Sequence, residues 1–350
     1  NFGKTSNRGI ELSLNFDVIN KGDFRFNIGA IYNYNRNKLD ELPNADQYLY
    51  SSYWGSSSLV PTNDYMFVEG KAIGLVRGFV SEGFYTVNDF RYENGQYILK
   101  EGIPDITKAL TATYMHPFNI PNGQTAFPGA AKFRDVNNSG TVDLDDATCL
   151  GEVMPRHTGS FQLNFNYKNF DLSSNFNWTA GGKVYNVAAM INASGQEFDG
   201  IGDQRTSWVA DTYKVYNVNS SGDLYAVTDP NELNALNANA KYHLPYHQSG
   251  ITSSEWLEDG SYLRLQTLTL GYTLPHTVLN KIHIEKLRIY LTATNLFTIT
   301  GYSGIDPEVN ATPTGQSGFY SNLRVFPTLN MDFGTYPRAR TFTLGGNITF

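Results

Sequence analysis

Residues 340–350, RTFTLGGNITF, alternate strictly. Phe342, Leu344, Gly346, Ile348 and Phe350 fall on one parity, and Thr341, Thr343, Gly345, Asn347 and Thr349 on the other. The same period recurs upstream. Ile10, Leu12, Leu14, Phe16 and Val18 alternate with Glu11, Ser13, Asn15 and Asp17. Phe24, Phe26, Ile28, Ala30, Tyr32 and Tyr34 oppose Arg25, Asn27, Gly29, Asn33 and Asn35. Residues 160–167, 170–178 and 286–293 repeat the pattern. Successive side chains of a strand point to opposite faces, so each stretch predicts a strand with one apolar side. Within residues 261–274 the apolar parity changes from Leu263 and Leu265 to Leu268, Leu270, Tyr272 and Leu274, which predicts a β-bulge near Gln266 and Thr267.

Most of these strands run ten to twelve residues, whereas the mean strand of a globular protein is about 5–6 residues. A tilted strand that crosses a bilayer needs about 9–11. The connections alternate in length. Residues 20–23, 168–169 and 275–285 are short links, while 36–157, 180–260 and 299–339 are long. Short turns on one side and long loops on the other are the asymmetry of an outer-membrane barrel. On that parity the first strand runs inward and Phe350 ends at the periplasmic rim. The fold class predicted is all-β, an antiparallel transmembrane barrel with long extracellular loops. Tyr32, Tyr34, Tyr167, Trp178 and Phe297 lie near strand ends, where an aromatic girdle belongs.

Composition narrows the reading. Charged residues are 17% of the 350, below the roughly 25% of a soluble domain, and the polar strand faces carry Asn, Ser, Thr and Gln rather than Lys and Glu. A soluble sandwich would carry a more charged solvent face, so the pattern favours a polar lumen. The net charge of −7 argues against nucleic acid as a partner. One cysteine, Cys149, leaves no intrachain disulfide, and beside Leu150 it reads as a small packed residue rather than a nucleophile. There is no apolar run long enough for a transmembrane helix. Residues 1–20 already alternate and read as a strand rather than a signal peptide.

Candidate chemistry is sparse, and no catalytic set is visible. DVNNSGTVDLDD (135–146) places oxygen ligands Asp135, Asn137 and Ser139 at positions 1, 3 and 5, Gly140 at 6, Thr141 at 7, Asp143 at 9 and Asp146 at 12. That spacing is a calcium-loop pattern, and the same residues also make an Asx-rich turn with no ion. Asp146 is shorter than the usual Glu at the last position. His243 and His247 in HLPYH have zinc spacing only on a helix, and Pro245 between them disfavours one. Tyr53, Trp54 and Trp208 in the long loops are candidates for stacking a sugar or peptide; their ordinary alternative is packing loop against loop.

Five stretches carry a resemblance: NRGIELSLNFD (7–17), FRDVNNSGTVDLDDATCLGEVMPRHTGSFQLNFNYKNFDLS (133–173), EDGSYLRLQTLTLGYTLP (258–275), LRIYLTATNLFTITGYSGIDPEV (287–309) and YPRARTFTLGGNITF (336–350). In order and spacing the chain resembles the C-terminal part of the SusC/RagA family of TonB-dependent outer-membrane transporters. The resemblance implies about the last third of a 22-stranded barrel, with no residue assignable to a plug. It also implies TonB-dependent import of an oligosaccharide or peptide, energised by TonB–ExbB–ExbD through a plug and capped by a SusD-like surface lipoprotein. Under it, Phe342, Leu344, Ile348 and Phe350 form a membrane-insertion signal on the closing strand. A small self-closed barrel acting as an adhesin, and a soluble calcium-dependent sugar-binding β-protein, are the alternatives.

Overall fold

The computed structural model describes residues 3–43, 46–52, 59–111, 116–194, 206–244, 250–280, 284–309 and 329–350. Its frame is one antiparallel sheet of seven strands, each hydrogen-bonded to the next of the seven in chain order. They are β1 (Lys4–Lys21), β2 (Phe24–Glu41), β3 (His157–Tyr167), β4 (Phe170–Ala180), β5 (Tyr262–Thr273), β6 (Lys286–Thr300) and β7 (Thr341–Thr349). Among the described residues the sheet stays open, with the outer edges of β1 and β7 unpaired.

The bulge expected in β5 is present. Asn175 pairs with Thr267 and Phe176 with Leu265, so Gln266 is the extra residue, and the same break appears against β6. A second irregularity lies between Asp17 and Ile19 of β1. β1 and β2 each extend to 18 residues, longer than alternation alone indicates. The outer connections therefore span 42–156, 181–261 and 301–340. At the other end the turns are tight. Gly22 and Lys168 take positive φ, the backbone state that reverses a chain in two residues. Phe350 follows β7 at this short-turn end, where Thr349 pairs with Lys286.

Two environments divide the apolar residues. The larger buried clusters lie in the outer connections: one around Phe79, Tyr85, Tyr97, Phe127 and Leu233, the other around Tyr65, Val76, Tyr185, Trp256 and Met331. Leu39 joins the second cluster, which explains why β2 continues outward. The sheet's apolar face is instead bare. Leu14, Phe16, Phe342 and Leu344 are each more than 60% exposed, and Leu12, Leu291 and Ile289 follow close behind. A contiguous apolar face of this size marks an interaction surface.

Rings border this face on both sides. Tyr32 and Tyr34 flank His157, with Tyr32 Oη 2.8 Å from His157 Nδ1, and Tyr32 stacks on Trp178. At the turn end Phe24 meets Tyr167, and Phe170 meets Tyr272. His157 and Tyr167 bound β3, so the two belts are roughly 33 Å apart along the strand, or about 25 Å across a membrane at a tilt of about 40°. That equals the apolar band of an outer-membrane barrel. Phe297 lies nearer the outer belt, 6.4 Å from Phe176.

Candidate functional site

The polar face of the sheet carries several side-chain hydrogen-bonded groups. Asn27 donates to Asn15 (2.8 Å) and Asp17 (2.9 Å), Gln162 donates to Asn164 (3.1 Å), and Asn177 donates to the bulged Gln266 (2.7 Å). Thr269 and Thr292 exchange a hydrogen bond at 3.0 Å. Cross-strand polar pairs of this kind each add about 0.2–1 kcal/mol. One charge pair lies on this polar wall: Arg288 grips Asp171 through Nε (2.9 Å) and Nη2 (2.5 Å), and its guanidinium lies over Tyr290. Two glycines make room for this group. A Cβ at Gly271 would fall 2.5 Å from both Arg288 and Asp171, and one at Gly345 would fall 2.4 Å from the Tyr290 ring. The wall can thus present amides and hydroxyls to a polar solute, and it holds no nucleophile–base pair.

At the outer end of this wall one side chain stands apart. Arg264 of β5 pairs with Asn177 and Thr298, which puts it on the polar face, yet it is 2% exposed. The segment 301–309, which follows β6, folds back over it. Arg264 Nη2 meets Asp306 at 2.5 Å, Nη1 meets Glu308 at 3.0 Å, and Nε donates to Thr298 at 3.1 Å. Glu308 also takes Arg338 at 2.7 Å. The same segment ties in the other connections. Ser303 donates twice to Glu258, Asn186 donates to Glu258, and Tyr302 Oη donates to Asp332 at 2.6 Å. Tyr302 and Val309 close on Val184. Segment 301–309 is therefore a strap that fixes the outer body to the wall. The sequence carried a signal for it, a lone Arg inside the apolar YLRLQTL run and the acidic pair of GIDPEV, but no periodicity joins residues about forty apart.

The residues of the calcium-type loop are placed within one turn, with their oxygens directed at backbone. Asp135 accepts from Ser139 N (3.1 Å) and Gly140 N (2.7 Å), and Asn137 Oδ1 accepts from Ser139 N (2.8 Å). Ser139 Oγ donates to the Thr141 carbonyl (2.8 Å). Asp143 caps the short helix Leu144–Asp146, accepting from Asp145 N at 2.8 Å. Asp146 is fully buried and accepts from Val136 N (2.7 Å), Asn137 N (3.3 Å) and Asp143 N (2.8 Å). Among the described residues no three His, Cys, Asp or Glu side chains gather into a metal-holding group. The Asp146 carboxylate thus ties the start of the loop, at Val136 and Asn137, to its end at Asp143. Asp135 and Asn138 border an open hollow of about 430 Å³ together with Glu82 and Arg134, which pair at 3.0 Å.

Tyr53 and Trp54 lie outside the described residues. Trp208 sits in the helix Thr206–Asp211, and its side chain lies outside the description. Other loop aromatics, Tyr50, Tyr185, Tyr213 and Trp256 among them, are buried, which is the loop-against-loop packing role. Cys149 is not packed as expected: it is exposed on the strand Thr148–Glu152, next to a bulge at Leu150. His243 is buried, its Nδ1 2.6 Å from the Leu244 carbonyl and its Nε2 3.8 Å from Glu255, while His247 lies outside the described residues. Burial raises the Glu255 carboxyl above its ordinary value, and His243 partly opposes that. A carboxyl raised in the fold contributes stability below its unfolded pKa and loses it as pH rises through the folded value. Glu255→Gln is accordingly expected to raise the unfolding temperature at neutral pH by a few degrees and to change little near pH 4, read by thermal unfolding of the full-length protein in detergent.

Comparison with known proteins completes the site. No family model matches the chain. It is similar over its whole length to TonB-dependent receptor P3 of Formosa agariphila, 28% identical over 350 residues and covering 29% of that receptor. It is 24% identical over 357 residues to TonB-dependent receptor SusC of Bacteroides thetaiotaomicron, again over the whole chain and 27% of the receptor. Among solved structures, the RagAB peptide transporter matches 99% of the chain and 29% of its own, with a TM-score of 0.61 and 19% identity. The RagAB peptide importer in its closed-closed state matches with a TM-score of 0.59 and 22% identity. The chain thus spans under a third of the length of the relatives it matches, and the match falls on their C-terminal part. These relatives are receptors and transporters, not enzymes.

Proposed function

We propose, for a chain that corresponds to the C-terminal part of an outer-membrane TonB-dependent receptor, that it forms part of the barrel wall and outer loops through which an oligosaccharide or peptide is imported. The observation that carries this is the two-sided sheet: a bare apolar face between aromatic belts, backed by a wall of amides and hydroxyls. The apolar face suits lipid, and the polar wall offers neutral hydrogen bonds to a solute passing along it. Energy would reach the barrel from TonB–ExbB–ExbD acting on a plug, and a SusD-like lipoprotein would cap the loop body. The C-terminal Phe350, at the short-turn end, would face the periplasm, and Phe342, Leu344, Ile348 and Phe350 would mark the strand for insertion.

The test is the native gene product in purified outer membranes. We expect a heat-modifiable barrel of about three times the 39.1 kDa of this chain, and loss of growth on the imported nutrient when either it or TonB is deleted. A product near 39.1 kDa, or one recovered from the soluble fraction, overturns the reading in favour of a small barrel or a soluble binder. Calcium in the 135–146 loop is a separate proposal, favoured by the spacing of its oxygen ligands. Asp146→Ala strands three backbone donors and is expected to cost about 1–3 kcal/mol equally in EGTA and in millimolar calcium. A loss seen only with calcium present, in matched melts, would establish the ion.

A further inference from the structure

We infer that Arg8 and Arg36 form a site for the phosphate of an outer-leaflet lipid headgroup; the inference rests on the membrane placement proposed above. The strand register puts the two arginines directly opposite each other. Parity puts both on the apolar face: Arg8 continues Ile10, Leu12 and Leu14, and Arg36 continues Tyr32 and Tyr34. One cross-strand step inward, Ile10 pairs with Tyr34 of the outer aromatic belt. Two residues of strand advance about 7 Å, so the guanidinium groups stand just outside the belt, at the depth of lipid headgroups.

Like charges directly opposite on a sheet repel, and such pairs are disfavoured unless something lies between them. Among the described residues no carboxylate lies within ion-pair distance of Arg8 or Arg36. Arg91, Arg134, Arg156, Arg264, Arg288 and Arg338 each meet one, while Arg25, Arg77 and Arg340 also meet none but do not face another arginine across the strand pair. The nearest acid on the same face, Asp40, is already beside Lys38 at 3.4 Å. Both arginines are exposed. What remains is a pair of planar forks, spaced by one strand separation, open toward the membrane and short of an anion. A phosphate presents oxygens to both forks at once, and Arg suits that geometry better than Lys does. The acyl chains of the same lipid would lie along Leu12, Leu14 and Phe16.

The test uses the full-length receptor in detergent, with retention of bisphosphorylated lipid A measured by native mass spectrometry. Dephosphorylated lipid A and inorganic phosphate are the comparison probes. We expect the parent to retain lipid A at least tenfold better than the dephosphorylated form, and R8Q/R36Q to lose that difference. R91Q, which removes an arginine from the loop body, is expected to behave as the parent. Single variants R8Q and R36Q read the same loss should the double variant not insert. Equal retention by parent and variants, or equal retention of dephosphorylated lipid A, overturns the site. Saturation by inorganic phosphate alone makes it a free-anion site and overturns the lipid assignment. A receptor found in the soluble fraction overturns the membrane placement and this site together. An inserted receptor with unaltered retention in R8Q/R36Q overturns the site alone.

Discussion

Arg264→Ala is expected to destabilise the protein by about 3–5 kcal/mol, the cost of removing one partner from a buried ion pair. The magnitude follows from what is left behind. Asp306 is 11% exposed and meets no other cation among the described residues, so it would be left mostly buried with the Glu308 N–H in place of its guanidinium partner. Glu308 is 41% exposed and retains Arg338, so it adds little to the loss. Arg264→Lys should fall between, because a single ammonium cannot span Asp306, Glu308 and Thr298 as the guanidinium fork does. Arg338→Ala should cost about 0–1 kcal/mol, as an exposed pair does. Chemical unfolding of the full-length protein, with limited proteolysis of 301–309, measures both consequences. The strap should become cleavable in Arg264→Ala while the barrel persists. A loss no greater than that of Arg338→Ala would mean that the packing of Tyr302 and Val309 on Val184, rather than the ion pairs, holds the strap.

The legibility of this fold in its sequence has a physical boundary. Wherever one strand face meets an apolar medium and the other a polar one, alternation is imposed residue by residue. The seven strands, and even the extra residue at Gln266, could therefore be read from pattern. The rule fails at the outer ends of β1 and β2. Residues 36–41, RNKLDE, leave the apolar band, so parity no longer selects Val or Leu, yet backbone pairing continues to Glu41. The cores of the outer connections were unreadable for another reason. Tyr65, Tyr185 and Met331 meet from three separate connections, each on a strand of four residues or fewer, too short to show a period. In the calcium-type loop the residues that would bind a cation are the ones that accept backbone N–H groups in Asx turns, so composition alone could not separate the two roles. The strap was missed because its charge pairs are set by three-dimensional return of the chain and not by local spacing.

Leu14→Arg and Ser13→Arg should separate sharply, although the residues are neighbours in sequence. Leu14 pairs with Ala30, which in turn pairs with Phe161, and this row lies about midway between the two aromatic belts. Leu14 is also 69% exposed, so in water its replacement would disturb no packing and would be nearly neutral. At the midplane of a bilayer the same change costs about 2–4 kcal/mol, because the guanidinium must be carried into hydrocarbon. Ser13 pairs with Ile31, and parity puts its side chain on the opposite, polar face beside Glu11 and Asn15. There an arginine meets the amide-lined wall and should change stability by less than about 0.5 kcal/mol. Guanidinium unfolding from lipid vesicles reads both variants against the parent. A large loss for Leu14→Arg alone fixes which face meets lipid. Equal, small losses would mean that this sheet is bathed in water on both sides, and the apolar face would then need a protein partner. A loss confined to Ser13→Arg would invert the sheet and make the amide face a packed interior.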